Sequence, residues 1–268
     1  MAVDVASGDV ERTCGALLRY AGQISSILRE APDPTVPAVG VWNIAETAAH
    51  LALSSPYFLQ AVSGQAELED VTDDATATAH VEAVAREPER DLGRLAQRIV
   101  EGESALVAHA RRTRDDPPVT PFQGIRMPLS AVLGVELGEL IVHGHDIARA
   151  ARLPWPVRPA DAALALAAVV QVLPLLLDAE RAEHLRIRCQ LHIRHGTAVV
   201  IVVADGALHL EPPSDRSVDC HLTVDPLTFL LLSFHRIGPT APVLTGKVLP
   251  WGRRPWLASR LQSALTSV

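Results

Sequence analysis

The sequence predicts two domains of different fold class: a four-helix bundle over residues 1–152 and a smaller antiparallel α+β domain over residues 153–268. Three observations support this division. The first half contains long stretches with apolar residues at helical spacing. The second half contains short runs of apolar or alternating residues separated by turns that contain glycine. Between them lies a short proline-rich connector, RLPWPVRP, which begins at Arg152.

Four helices are predicted in the first half. They cover residues 9–31, about 43–62, about 77–112 and about 128–151. The second begins at Asn43, whose side chain can cap it, and Glu46 three residues later completes a capping box. The third is broken or restarted at Pro88, and Pro128 suits the first turn of the fourth. The segments APDPTVPAVG and DDPPVTPFQG are expected to be loops, so the helices predict a bundle.

The second half begins with an Ala/Leu-rich helix at about 160–180. Four strand-like runs follow, LRIRCQLHI, TAVVIVVA, ALHLEP and VDCHLTV, and turns are expected at His195-Gly196 and Asp205-Gly206. The run PLTFLLLSFHR is expected to be a helix, VLTGKV an edge strand and WLASRLQSALTSV a closing helix. This succession predicts an α+β domain with an antiparallel sheet.

Composition limits the class of protein. Of the 268 residues, 48% are hydrophobic, which is enough for a core, and 21% are charged. The net charge of -7 and the lack of a long basic run argue against nucleic acid as the main partner. The longest apolar stretch, residues 162–177, contains Gln171 and Pro174 and is too short to span a bilayer. We therefore expect no association with a membrane.

The N-terminus and the cysteines indicate a cellular compartment. The first residues, MAVDVASGDVERT, have neither the basic start nor the apolar core of a signal peptide. The three cysteines show no CxxC spacing and predict no disulfide framework. They are Cys14, Cys189 and Cys220. A reducing cytoplasm is the expected location.

Three separated side chains carry the main chemical signal: His50, Glu139 and His143. Glu139 and His143 are four residues apart in the fourth predicted helix, which places them on one face, one turn apart. Two imidazoles and one carboxylate form a donor set used by catalytic zinc sites whose fourth position is open. By spacing alone, Glu139 and His143 also fit a pair that binds no metal. His50 also fits a core histidine whose hydrogen bonds are satisfied within the protein. Convergence of the three would indicate a metalloenzyme.

The sequence around these residues resembles the DinB-like mycothiol-dependent maleylpyruvate isomerase family. VWNIAETAAHLA is similar to the W-x-x-x-x-x-x-x-H-L segment of that family. ELGELIVHGHDIARA is similar to its second signature, in which a Glu, three residues, a His and then Gly-Trp-Asp lie on one helix. The family joins an N-terminal DinB-like four-helix bundle to a smaller C-terminal α+β domain like sterol carrier protein. The chain departs from the signature at His145, where the family usually has Trp.

The resemblance implies that His50, Glu139 and His143 bind zinc or another divalent metal. Asp146 matches the Asp of the signature. It either orients a ligand imidazole through a hydrogen bond or has a structural role. His145 follows His143 by two residues and is therefore turned to another side of the helix, so it is not expected to be a ligand.

The resemblance also implies mycothiol as thiol cofactor or co-substrate, and a function as isomerase or S-transferase on a small electrophilic acid such as maleylpyruvate. Arg126 and Arg236 are candidate residues for binding the carboxylates, and Glu136 is the alternative ligand if the helix register differs. The near absence of lysine, which occurs only at Lys247, fits the GC-rich genomes of actinobacteria, to which mycothiol belongs. The expected partners are a small-molecule substrate and a low-molecular-weight thiol, and the chain is expected to be a monomer or homodimer.

Two other functions are consistent with the same residues. One is a non-catalytic binding protein that keeps the DinB scaffold. The other is a metal-dependent hydrolase, in which water instead of a thiol fills the open position.

Overall fold

The structure is a computed structural model of the chain. It describes residues 10–65, 74–113, 116–122 and 125–265. The chain forms two compact units that divide between Val157 and Arg158. The predicted boundary, between residues 152 and 153, lies in the connector just before this division. None of the helices within the described ranges is long and apolar enough to cross a membrane.

The N-terminal unit is a helical bundle with two short antiparallel strand pairs. Its helices are α1 (Val10–Glu30), α2 (Ile44–Val62), α3 (Asp74–Arg86), α4 (Leu92–Arg112) and α5 (Leu129–Ala151). Its strands are β1 (Pro37–Val39), β2 (Trp42–Asn43), β3 (Pro118–Phe122) and β4 (Ile125–Pro128), and β1 pairs with β2 and β3 with β4. Helices α1 and α2 each pack against both α4 and α5, which gives the predicted four-helix arrangement.

The interior of the bundle is apolar because each long helix turns one stripe of large side chains inward. Fully buried examples are Leu17, Ile24, Leu51, Leu95, Ile99, Leu106, Leu137 and Leu140. Burying one such side chain stabilises the fold by roughly 1.5–3 kcal/mol relative to leaving it in water. Burying polar side chains in this interior therefore costs free energy unless they have partners. The buried polar side chains mark the part of the bundle where a functional site is to be sought.

The third predicted helical region is broken around Pro88, as expected: it forms two helices, α3 and α4, which are separated by residues 87–91. Two other features of the N-terminal unit differ from the sequence-based predictions. Pro128 is the N-cap residue of α5, with φ of -63° and ψ of 152°, and does not lie in the first turn. The segment DDPPVTPFQG was expected to be a loop but contains β3, which pairs with β4. Proline fits here because Pro118 and Pro128 face each other at the end of the strand pair.

The C-terminal unit is a five-stranded sheet with helices. Its strands are β5 (Ile187–Ile193), β6 (Ala198–Ala204), β7 (Ala207–Glu211), β8 (Cys220–Val224) and β9 (Val248–Trp251), in the order β7-β6-β5-β8-β9. Its helices are α6 (Pro159–Gln171), α7 (Ala179–Ala182), α8 (Pro226–Ser233), α9 (Thr240–Leu244) and α10 (Leu257–Ser263). The Asp205-Gly206 turn joins β6 to β7 with positive φ at both residues, 54° and 73°, as a two-residue hairpin requires.

The predicted fold class is confirmed, but the sheet is not purely antiparallel. Strands β5 and β8 are parallel, with Cys189 opposite Cys220, so the sheet is mixed. A local turn sets the direction of a hairpin strand, whereas β8 follows a longer connection and its direction depends on tertiary packing. The helix predicted at about 160–180 ends at Gln171. Pro174 lies in a 3-10 turn because proline cannot donate the hydrogen bond that would continue the helix.

Candidate metal centre

The N-terminal cap of α2 sets the position of His50. Asn43 Oδ1 accepts a hydrogen bond from the Glu46 backbone N–H, and Glu46 Oε2 accepts one from the Asn43 backbone N–H, both at 2.9 Å. The predicted capping box is therefore present. His50 lies about two turns further along α2 and is only 7% exposed. The cap stabilises the first turn of the helix and thereby the direction in which this imidazole points into the bundle.

Helix α5 presents the acidic and imidazole side chains of the second motif. Gly144 allows the indole ring of Trp155 to lie directly against the helix, since a Cβ atom at this position would be 2.2 Å from that ring. Trp155 Nε1 donates a hydrogen bond to the Ile141 carbonyl oxygen at 3.0 Å. The glycine of the signature thus has a packing role that holds α5 next to the chain that follows it.

The donor atoms of His50, Glu139 and His143 all lie within 4.8 Å of one another. Glu139 Oε2 is 3.2 Å from His50 Nε2 and 3.4 Å from His143 Nε2. Donors that surround one zinc ion tetrahedrally at 2.0–2.1 Å are about 3.3 Å apart, so these spacings fit a shared ion. The three side chains are 9%, 24% and 12% exposed, so the group is mostly buried and Glu139 is its most accessible member.

The charges of the three groups depend on burial and on each other. Burial opposes ionisation of Glu139, but the contacts with His143 and His50 outweigh it and hold the pKa of Glu139 well below 4.5. Burial lowers the pKa of His50 to about 4, although Glu139 opposes this shift. Burial would also lower the pKa of His143, but Asp146 and Glu139 outweigh it and raise this pKa above 6.5. A metal ion requires an ionised carboxylate and neutral imidazoles: Glu139 and His50 meet this requirement, whereas an ion would have to displace the proton that the raised pKa of His143 favours.

Asp146 lies next to His143, three residues later on the same helix. His143 Nδ1 is 3.2 Å from Asp146 Oδ2, although the ring is not aligned for a strong hydrogen bond. Asp146 is 1% exposed, so its carboxylate has a defined position. Nε2 of the same ring lies 3.4 Å from Glu139 Oε2, so the two nitrogens of His143 face different carboxylates. The orienting role of Asp146 stays a prediction.

Glu136, the alternative ligand, does not approach the two imidazoles as Glu139 does. Its carboxylate accepts a hydrogen bond from Ser54 Oγ at 2.5 Å and is fully buried. Burial and the nearby carboxylate of Glu103 raise the pKa of Glu136 well above 4.5. Glu103 is also fully buried, and burial raises its pKa to about 7 against weaker contacts with Glu136 and Ser55. Together they form a buried carboxyl pair, one helical turn from Glu139.

Two further aromatic side chains border the centre. Trp42, which precedes α2, stacks on the ring of His50 with centroids 5.0 Å apart and planes at 30°. His80 on α3 lies against the same ring, at 5.3 Å between centroids. Sequence reasoning did not identify His80, because a single histidine on a separate helix has no spacing that connects it with the two motifs. Only the packing of α3 against α2 brings it there.

The two candidate anion-binding arginines lie in different units. Arg126 is exposed on β4 of the N-terminal unit. Arg236 follows α8 in the C-terminal unit, and its Nη1 donates a hydrogen bond to the Phe234 carbonyl oxygen at 2.6 Å. Their role in binding a carboxylate stays a prediction.

Comparison with known proteins connects this geometry to a family. Residues 18–148 match the family described as mycothiol maleylpyruvate isomerase N-terminal domain, and residues 171–249 match the SCP-2 sterol transfer family. Among curated proteins, none has a significantly similar sequence.

Two solved structures share the fold. They are the mycothiol-dependent maleylpyruvate isomerase and a histidine-to-alanine mutant of it. Each is 13% identical to this chain. The superposition covers 93% of this chain and 95% of the other chain in both cases, with TM-scores of 0.50 and 0.52. At this identity the likeness concerns the fold alone.

The two family matches follow each other in the order that the sequence motifs predicted, and together they span most of the described chain. Residues 18–148 therefore form a domain of the mycothiol maleylpyruvate isomerase N-terminal type, from a family named for an enzyme, and an SCP-2-type domain follows it.

Proposed function

We propose that this protein is a zinc-dependent enzyme that uses mycothiol to isomerise a small electrophilic acid such as maleylpyruvate, or to transfer the thiol to it. One observation carries the proposal. The donor atoms of His50, Glu139 and His143 lie within 4.8 Å of one another, in a domain whose family is named for a mycothiol-dependent isomerase. The metal, the thiol and the substrate are all part of the proposal.

The protein side chains have separate roles in this proposal. His50, Glu139 and His143 would hold the ion, and Glu139 is the most exposed of these three side chains. Asp146 directs His143 Nδ1 away from the ion, so that Nε2 presents its lone pair to it. Trp42 covers the ring of His50 and excludes water from that side of the centre.

The bound groups supply the reactive chemistry. Zinc supplies a Lewis acid that lowers the pKa of a thiol, so that a thiolate is available at neutral pH. Mycothiol would supply a sulfur nucleophile that adds to one carbon of an electron-poor double bond and leaves a carbon–carbon single bond that can rotate. Elimination of the thiol would restore the double bond and complete an isomerisation. Retention of the sulfur, with a proton added at the neighbouring carbon, would complete a transfer.

Metal analysis of the purified protein tests the metal part of the proposal. We expect about one zinc ion per chain in wild-type protein, and its loss in His50→Ala and in His143→Ala with the helical circular dichroism unchanged. His184→Ala is the matched control, because this side chain is 92% exposed in the C-terminal unit. Its zinc content should equal that of the wild type.

Titration of cobalt-substituted protein with mycothiol tests the thiol part. Sulfur coordination should add an intense sulfur-to-cobalt absorption band and change the visible spectrum. Metal that binds tightly without any response to thiol would contradict the mycothiol assignment and favour a hydrolase. Protein that binds neither metal nor thiol would refute the proposal and favour a non-catalytic binding protein.

A further inference from the structure

His80 is the exposed member of the aromatic group around His50. The ring of His50 contacts three aromatic side chains: Trp42 stacked on it, His143 edge-on at 4.8 Å, and His80 tilted by 56° at 5.3 Å. Trp42 is half-buried and the side chain of His143 is 12% exposed, whereas His80 is open to solvent. Because an exposed side chain contributes little burial energy, packing alone does not account for the position of the His80 ring beside His50.

The surroundings of the centre show from which side a molecule reaches it. Ser54 and Glu136 lie about one turn from His50 and Glu139 along the same helices, and both are buried, at 7% and 0% exposure. This direction leads into the buried interior of the bundle. At the centre itself, the side chain of Glu139 keeps 24% exposure, and the exposed His80 lies against the ring of His50.

The chemistry of His80 suits a group that binds at this entrance. An imidazole provides one N–H donor and one acceptor in its neutral form and two donors when protonated. The donor atoms that converge are those of His50, Glu139 and His143, and His80 does not belong to that set. A molecule in the fourth position of a tetrahedral centre extends outward from the three ligands. Of the two rings outside the ligand set that lie against His50, Trp42 is half-buried and His80 is exposed, so His80 is the one that such a molecule can reach from solvent.

We infer that His80 is a ligand-binding residue of the centre: its imidazole hydrogen-bonds the thiol that enters the open position. This inference rests on the proposed function, since it concerns the molecule bound at the same centre. It differs from a fourth metal ligand in a measurable way. A group that contacts the thiol strengthens thiol binding and leaves metal affinity unchanged, whereas a metal ligand strengthens metal binding and competes with the thiol.

The test compares cobalt-substituted wild-type protein with His80→Ala and His80→Gln. Metal content and metal affinity are measured first, and mycothiol is then titrated while the visible spectrum is followed. We expect unchanged metal affinity in both variants. The dissociation constant for mycothiol should rise about tenfold in His80→Ala, the effect of losing one hydrogen bond of ordinary strength. In His80→Gln, whose amide can still donate, it should rise much less.

Each outcome supports or overturns the inference. Equal mycothiol affinity in wild type and His80→Ala would overturn it. Weaker metal binding together with equal or tighter thiol binding would also overturn it, and would make His80 a competing metal ligand. His184→Ala, exposed in the C-terminal unit, controls for the loss of an imidazole. Failure of the wild type itself to bind metal or respond to thiol would refute the proposed function, and the role of His80 with it.

Discussion

Replacing Glu103 by glutamine should stabilise the protein at alkaline pH and have little effect at acidic pH. Glu103 and Glu136 are both fully buried, and neither oxygen of Glu103 accepts a well-formed hydrogen bond within the described part of the chain. Burial raises the pKa of Glu103 from 4.5 to about 7, so the folded protein binds this proton more tightly than the unfolded chain does. The stabilisation is complete below pH 4.5 and is lost as the pH rises through 7.

The magnitude follows from that pKa. At about 1.4 kcal/mol per pH unit, the change from 4.5 to about 7 corresponds to at most about 3–4 kcal/mol of unfolding free energy lost between acidic pH and pH 8. It is an upper limit because Glu136 shares the proton of the pair. Glutamine has the same shape, can donate to Glu136 at every pH and has no proton to lose. Glu103→Gln should therefore be up to about 3–4 kcal/mol more stable than wild type at pH 8 and nearly equal at pH 5.

Urea unfolding followed by far-ultraviolet circular dichroism measures this difference. It is run at pH 5, 6, 7 and 8 in the presence of a chelator, so that metal binding makes no contribution. Glu101→Gln is the matched control, since it removes the same charge from an exposed position of the same helix. Its unfolding free energy should stay within about 0.5 kcal/mol of wild type at each pH. If the curves of wild type and Glu103→Gln run parallel from pH 5 to 8, the assignment of a buried shared proton is wrong.

Three further predictions concern the scaffold of the centre. Gly144→Ala should lower the unfolding free energy by about 1–3 kcal/mol in urea, because a Cβ atom would be 2.2 Å from an indole ring. Gly22→Ala, which has open space in α1, should be neutral or stabilising by up to about 1 kcal/mol, and equal losses in both would contradict the packing argument. Asp146→Asn should weaken zinc binding about 10- to 100-fold in a competition titration, and unchanged affinity would remove its orienting role toward His143. Asn43→Ala should cost about 1 kcal/mol by loss of the cap while Asn43→Asp retains it, which thermal unfolding would show.

Some features of the centre and of the fold were predictable because they depend only on residues close together in the sequence. Asn43 and Glu46 are three residues apart, and this spacing determines the capping box and the start of α2. Glu139 and His143 are four residues apart, so any helix through them presents both on one face. The turn at Asp205 follows from the tolerance of Asp-Gly for positive φ. Each of these inferences depends only on residues within about one helical turn or within one tight β-turn.

Other features required contacts between distant residues. His50 and Glu139 are 89 residues apart, and only the packing of α2 against α5 brings their donor atoms to 3.2 Å. His80 gave no signal because no nearby residue shares its role. The direction of β8 was predicted wrongly, since no tight turn connects this strand to β5. The pair β3 and β4 was missed because its proline-rich sequence is also typical of a loop.

The amino-acid sequence by itself determined which side chains were available for chemistry and how each is presented by its own helix. Helical periodicity and capping depend on neighbours within a few residues, and the two motifs alone indicate the resemblance to the family. Tertiary structure alone decided that the donor atoms of two imidazoles and a carboxylate lie close together, that Glu136 is buried near Glu103, and that an exposed His80 lies against the ring of His50. The physical reason is that burial, pKa and metal geometry depend on distances between helices, which arise only when the apolar faces of the bundle pack together.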